Sequence, residues 1–208
     1  WTVTATYQGR GATAALTVLD GGVPPSALFL PLVTRNYVQA PDLIITQLIA
    51  TTDNVTLTIK NQGSAPVRDE FWIDAYINPH TVPTEVNQTW ELLASQGLVW
   101  GIEGPALSEL VPGGTLTLTV GDMHYWEIHS EVTWPLPEGT VIYAQVDSVD
   151  VETDYGAVQE DHEIIGGPYN NIIGPIYSIA ERAASTRLSL PRPSPTSQKD
   201  PGDLPRRP

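Results

Sequence analysis

Seven carboxylates crowd between positions 147 and 163: Asp147, Asp150, Glu152, Asp154, Glu160, Asp161 and Glu163. Asp150-x-Glu152-x-Asp154 sets three of them at alternate positions, a spacing that suits an oxygen-lined Ca²⁺ loop. The glycine arrives one place late for an EF-hand loop, with Tyr155 in its position and Gly156 next, and no helical pattern flanks the run. The competing reading is a solvated acidic loop between strands. Calcium on Asp150, Glu152 and Asp154 is the one metal expectation, and no other cofactor is expected.

The remaining residue types that do chemistry are scattered. His124 and His129 are five apart, so on one strand they face opposite ways and share no zinc ion. His162 lies among Glu160, Asp161 and Glu163, carboxylates that favour a charged, exposed imidazolium. Cysteine is absent, which removes disulfides, thiolate nucleophiles and Cys-based zinc sites. There is no Gly-x-Ser-x-Gly elbow and no glycine loop that cradles phosphate. Carboxylate pairs are inevitable among 24 acidic residues and carry no information without geometry. Trp72, Trp90, Trp100, Trp126 and Trp134 suit either a sugar-binding face or core and edge cover. Asn54-Val-Thr56 and Asn87-Gln-Thr89 match the glycosylation pattern, which short sequences also meet by chance. No catalytic constellation emerges.

Strands must position whatever these residues do. Phe71-Trp-Ile-Asp-Ala-Tyr-Ile-Asn-Pro79 is the clearest: Phe71, Ile73, Ala75 and Ile77 share one face, Trp72, Asp74 and Tyr76 the other, and Asn-Pro stops the run. Such alternation predicts a half-buried antiparallel strand whose first face builds core. Residues 43–49, 55–60, 116–120, 128–132, 141–146 and 171–179 read as further strands, and 78–113 as a long connection. Residues 1–7 and 12–18 read as a hairpin about Gln8-Gly-Arg-Gly11, marginal alone. Asp20-Gly-Gly-Val-Pro-Pro25 reads as linker, and 28–38 as an apolar extended segment that Pro31 biases to an edge. A weak helical period appears only near 179–184. About seven short strands between turn signals fit a two-sheet sandwich.

Charge divides the chain. Residues 1–180 carry four basic side chains (Arg10, Arg35, Lys60, Arg68) against 21 acidic, a net of −17; residues 181–208 carry six basic against three acidic, a net of +3. An acidic body repels phosphate, so no nucleic-acid partner is expected. The body's charge is explained by solubility alone, but a basic tail also suits docking on an acidic neighbour. That tail interleaves Pro191, Pro193, Pro195, Pro201, Pro205 and Pro208 with Arg and Ser, which read in isolation is disordered or polyproline II. No apolar run reaches the ~18 residues of a membrane span. Opening on Trp1 without a charged leader, the chain is expected to be a processed product or an excised piece.

Ala40-Pro-Asp-Leu43, the strand 55–60 closing on Asn61-Gln-Gly63, Phe71 to Pro79, Pro112-Gly-Gly114, Ala144-Gln-Val-Asp-Ser148, and Tyr155 to Glu160 leading to Asn170-Asn171 together resemble the CARDB family, the cell-adhesion-related domain found in bacteria. The resemblance spans roughly residues 40 to 179 and departs from a compact member in the 79–111 insertion and in Ile164-Ile-Gly-Gly-Pro-Tyr169. The first hairpin is similar to the last two strands of a bacterial immunoglobulin-like domain. These likenesses imply an all-β protein: an immunoglobulin-like β-sandwich with an N-terminal β-hairpin and an extended Pro-rich C-terminal tail. The divisions are 1–22 (partial immunoglobulin-like hairpin), 23–39 (linker), 40–180 (CARDB-like β-sandwich) and 181–208 (basic tail). The functional expectation is a non-enzymatic, extracellular structural or adhesive module of a bacterial cell surface. Its sharper form is a filament subunit joined head-to-tail through its terminal segments. Partners are then other copies, neighbouring domains or polysaccharide. The alternative is a carbohydrate-binding accessory module of a secreted hydrolase, which two exposed coplanar tryptophans would support.

Overall fold

The computed structural model describes residues 2–7, 10–15, 39–180 and 204–207. The chain divides into two compact units, Trp1–Tyr37 and Val38–Pro208. In the first, β1 (Thr2–Tyr7) pairs antiparallel with β2 (Arg10–Ala15), from Thr2 opposite Ala15 to Tyr7 opposite Arg10. The hairpin forms, with its second strand two residues earlier than the alternation suggests. The expected linker, the apolar segment 28–38 and most of the tail lie outside the described residues.

The second unit is all-β with short helical turns. One antiparallel sheet has the order β3 (Leu43–Ala50), β4 (Val55–Asn61), β7 (Thr115–Thr119). The other runs β6 (Gln96–Ile102), β5 (Phe71–Ile77), β8 (Val141–Val146), β9 (Ile172–Tyr177). Strand β4 shows why the sheets form: Val55, Leu57, Ile59 and Asn61 are buried, and Thr56, Thr58 and Lys60 between them are half-exposed, the period-2 burial of a one-sided strand. Asn61 ends it by donating to the carbonyls of Ala65 (2.7 Å) and Leu110 (2.8 Å) and accepting from the N–H of Gly63 (3.0 Å). One core joins the two sheets: Leu57, Ile59 and Leu118 of the first meet Phe71, Ile73, Ala75, Ile77, Trp100 and Ile142 of the second. The inward face expected for residues 71–77 is therefore the core face.

Three expectations about the elements fail for identifiable reasons. The connection 78–113 contains β6, an edge strand of the second sheet, after a one-turn helix α1 (Trp90–Leu93). Residues 128–132 are not a strand of either sheet. Glu127–His129 is a 3₁₀ turn, followed by a single bridge from Glu131 to Gly97. And β5 is not half-buried: all seven of its residues are buried, because the segments between strands fold over its second face.

Candidate functional site

That second face is where the sequence and the geometry disagree most usefully. Trp72, Asp74 and Tyr76 point away from the core, opposite Gly101, Val99 and Gly97 of β6. A side chain at Gly97 would stand 2.2 Å from Cγ of Trp90, and one at Gly101 would stand 2.6 Å from Nε1 of Trp126 and 2.7 Å from Cδ1 of Leu204. The two glycines leave bare backbone as a floor, which is the usual meaning of glycine inside a strand. Trp90 from α1 and Trp126 from the loop after β7 settle onto it. With Trp72, Tyr76, Ala94, Val99, Val149 and Leu204 they form a second apolar cluster, separate from the main core. Trp72 and Trp126 meet edge to face at 5.1 Å, a favoured aromatic geometry.

Asp74 lies at the centre of this cluster with no exposure to solvent. An ionised carboxylate there is costly unless its charge and lone pairs are met. Oδ2 accepts the backbone N–H of Trp90 (2.9 Å) and Oδ1 the hydroxyl of Ser148 (2.8 Å). The charge is met by Arg207, in the C-terminal segment 204–207, not by a neighbour in the sheet. Nη1 and Nη2 of Arg207 donate to the two oxygens of Asp74 at 2.5 and 2.9 Å, and Nη2 also reaches Glu91 at 3.1 Å. The guanidinium carbon stands 5.4 Å from the ring centre of Trp72, within the range of a cation–π contact. Burial works against the charge of Arg207, but Asp74 and then Glu91 outweigh it and raise its pKa. Arg207 keeps 4% of its side-chain surface exposed. Two further anchors hold the segment: Leu204 is buried in the cluster, and Trp72 Nε1 donates to the carbonyl of Pro205 at 2.5 Å. Arg206, by contrast, is 82% exposed and stands 3.8 Å from exposed Glu152, a contact worth little.

Burial divides the acidic run. Asp150, Glu152 and Asp154 lie in a turn that leaves Asp150 half-buried and the other two exposed, where Asp150 accepts the N–H of Glu152 (3.0 Å). They are not part of the group of His, Asp and Glu donors that lie within 4.8 Å of one another among the described residues. Asp147 is fully buried, and its two oxygens accept the N–H groups of Ala157 and Val158, both at 2.9 Å. Burial still pushes its pKa up to about 8. Gly156 is required beside it, since φ is +91° and a Cβ would meet Asp147 Oδ2 at 2.4 Å. Glu160 is buried as well. It takes the N–H of Leu43 in a short hydrogen bond and Nδ2 of Asn171 at 2.6 Å, tying the start of β3 to the start of β9; burial and then Asp147 raise its pKa. It precedes helix α2 (Asp161–Ile165), where Glu163 returns to accept its N–H at 2.8 Å.

His162 overturns a sequence expectation. Its ring is buried rather than exposed, and desolvation lowers its pKa despite the pull of Asp42 and Asp161. Among the described residues, Asp42, Glu160 and His162 are the His, Asp and Glu side chains whose donor atoms all lie within 4.8 Å of one another. Sequence spacing could not bring Asp42 there, because it arrives from the far end of the unit. His129 is also no strand residue: it packs edge-on against Trp72 at 5.4 Å. The sequon asparagines are engaged, Asn87 donating to the carbonyl of Thr153 (2.8 Å) and Asn54 to the hydroxyl of Thr119 (3.0 Å).

Comparison with family models, with curated proteins and with solved structures finds no match to this chain.

Proposed function

We propose that this chain is a non-enzymatic structural or adhesive module of a bacterial exterior, an immunoglobulin-like sandwich of the CARDB kind whose outer sheet face receives a basic C-terminal segment. One observation carries the reading: Arg207, from the basic tail, neutralises a carboxylate buried in the middle of a central strand. A buried charge provided for by a segment more than 130 residues away is an assembly device, since the sheet face is incomplete until that segment arrives. The same contact, made by the tail of one copy on the face of the next, joins subunits head-to-tail. A heterologous contact of that type gives open filaments when it does not close into a ring. No helix among the described residues is long and apolar enough to cross a membrane, in keeping with a module outside the bilayer.

The sugar-binding alternative lacks its platform among the described residues. Trp72, Trp90, Trp100 and Trp126 are buried and Trp134 is packed against the main core. The open cavity of about 620 Å³ beside the tail is lined by Arg68, Glu70, Asp150, Glu152 and Arg206 among others, with no tryptophan.

The test uses the full chain and its Arg207→Ala variant with a labelled peptide carrying residues 203–208. The peptide binds the variant, whose face is vacated, and binds Asp74→Asn far more weakly. Absence of binding to the Arg207→Ala chain would remove the docking reading. Light scattering over a wide concentration range separates its two forms: growth with concentration supports the head-to-tail form, and a strict monomer restricts the contact to one chain.

A further inference from the structure

We propose that Asp42, Glu160 and His162 form a binding site for one divalent transition-metal ion of the Zn²⁺ type. The proposal is independent of the tail contact. Two separate stretches supply the donors, Asp42 just before β3 and Glu160 with His162 at the start of α2; Asn170 and Asn171 stand behind them, leading into β9. Nδ1 of His162 stands 3.9 Å from Asp42 Oδ1 and 3.9 Å from Glu160 Oε2. That is too long for a hydrogen bond. Ligand atoms around a tetrahedral Zn²⁺ with bonds of about 2.0–2.1 Å lie roughly 3.4 Å apart, so each carboxylate oxygen needs to approach Nδ1 by about half an ångström, and all three donor atoms already lie within 4.8 Å of one another.

The second observation is the histidine itself. Its ring is 7% exposed, and neither Nδ1 nor Nε2 has a hydrogen-bond partner. Buried polar atoms are satisfied as a rule, and an exception asks for an explanation. Beside it the side-chain oxygens of Asn170 and Asn171 are also buried without partners. A metal ion on Nδ1 explains the arrangement on both sides of the ring. Glu163 Oε1 lies 3.8 Å from Nε2, placed to accept the remaining N–H, as outer carboxylates do for metal-bound histidines. The two ligand carboxylates are already oriented, Asp42 Oδ1 by Nδ2 of Asn170 (2.8 Å) and Glu160 by Leu43 and Asn171. Each oxygen that accepts one hydrogen bond keeps a lone pair for the ion. The donor set of one imidazole and two carboxylates selects a borderline ion; Ca²⁺ and Mg²⁺ prefer all-oxygen shells with more ligands. Once bound, the ion would clamp the first strand of one sheet to the turn that leads into the last strand of the other.

The experiment is calorimetric and thermal titration of the chelator-treated full chain with Zn²⁺, with Ca²⁺ and Mg²⁺ as parallel arms. The expected result is one Zn²⁺ per chain, a raised Tm that EDTA reverses, and no comparable shift with the other two ions. His162→Ala and Asp42→Asn each weaken binding by about tenfold or more, since losing even an outer-shell partner of a metal ligand costs about 10–100-fold, while Asp150→Asn leaves it unchanged. Should His162→Ala fold poorly, the Nδ1 resonance of His162 in the unaltered chain decides: it moves on adding Zn²⁺. Failure to bind, a Tm indifferent to Zn²⁺, or binding that survives both substitutions through exposed His80 or half-buried His124 would overturn the proposal.

Discussion

Asp74 and Arg207 depend on each other because neither is stable alone where it sits. Removing one partner of a buried ion pair costs about 3–5 kcal/mol, most of it from the charge left behind. Arg207→Ala is therefore expected to destabilise the unit by about that amount, tempered by water reaching Asp74 once the segment lifts. Asp74→Asn with Arg207→Ala should cost less than the sum of the single changes, and a denaturation double-mutant cycle measures the difference; strict additivity would show that the pair is not coupled. A second residue-scale prediction concerns Asp147. Its folded pKa of about 8 lies above the unfolded value, so between these limits the folded state holds the extra proton. The resulting stability is full below the unfolded pKa and is lost as pH rises through about 8. The slope is at most about 1.4 kcal/mol per pH unit. Thermal midpoints should fall from pH 5 to pH 8.5, and Asp147→Asn should flatten that fall; an equal slope in the variant would assign it to the general negative charge of the body.

At the scale of elements, β6 positions the tail-binding face through what it lacks. Gly101→Ala is expected to push Trp126 and Leu204 off the floor, costing about 1–3 kcal/mol as overpacking does, with a red-shifted tryptophan emission and faster proteolysis at the C terminus. An unchanged emission and cleavage rate would mean that the floor is not the seat of the tail. The same strand shows where the sequence was legible and where it was not. The core face of β5 was readable because alternation is a local signal, and β4 likewise. The burial of Trp72, Asp74 and Tyr76 was not, because α1, the 3₁₀ turn at Glu127–His129 and Leu204–Arg207 reach that face from distant positions. β6 was hidden by Gly97 and Gly101, which read as loop residues. Between them, Leu98, Val99 and Trp100 carried the strand signal, and glycines spaced four apart on one face were the clue to a close approach. In the acidic run, alternate spacing pointed to Asp150, Glu152 and Asp154. Burial instead selected Glu160 and His162 with Asp42, a grouping that only the pairing of β3 with the rest of the unit brings about.

For the whole molecule, the tail contact sets the path by which force enters. β9 is an edge strand with a proline in it and much of its length half-exposed or exposed, and a pull on the C terminus would ordinarily peel it first. With Arg207 clamped to Asp74, tension instead arrives at the middle of β5, held on both sides by β6 and β8. A single chain extended from its two ends should thus show an early, small rupture that lengthens it by up to about 90 Å, at roughly 3.3–3.6 Å per residue. The main unfolding of the sandwich follows. In Arg207→Ala the early event should vanish and β9 should bear load from the outset; its persistence would place the first break elsewhere. Such a clamp acts as a shock absorber, yielding and re-forming under load without opening the core.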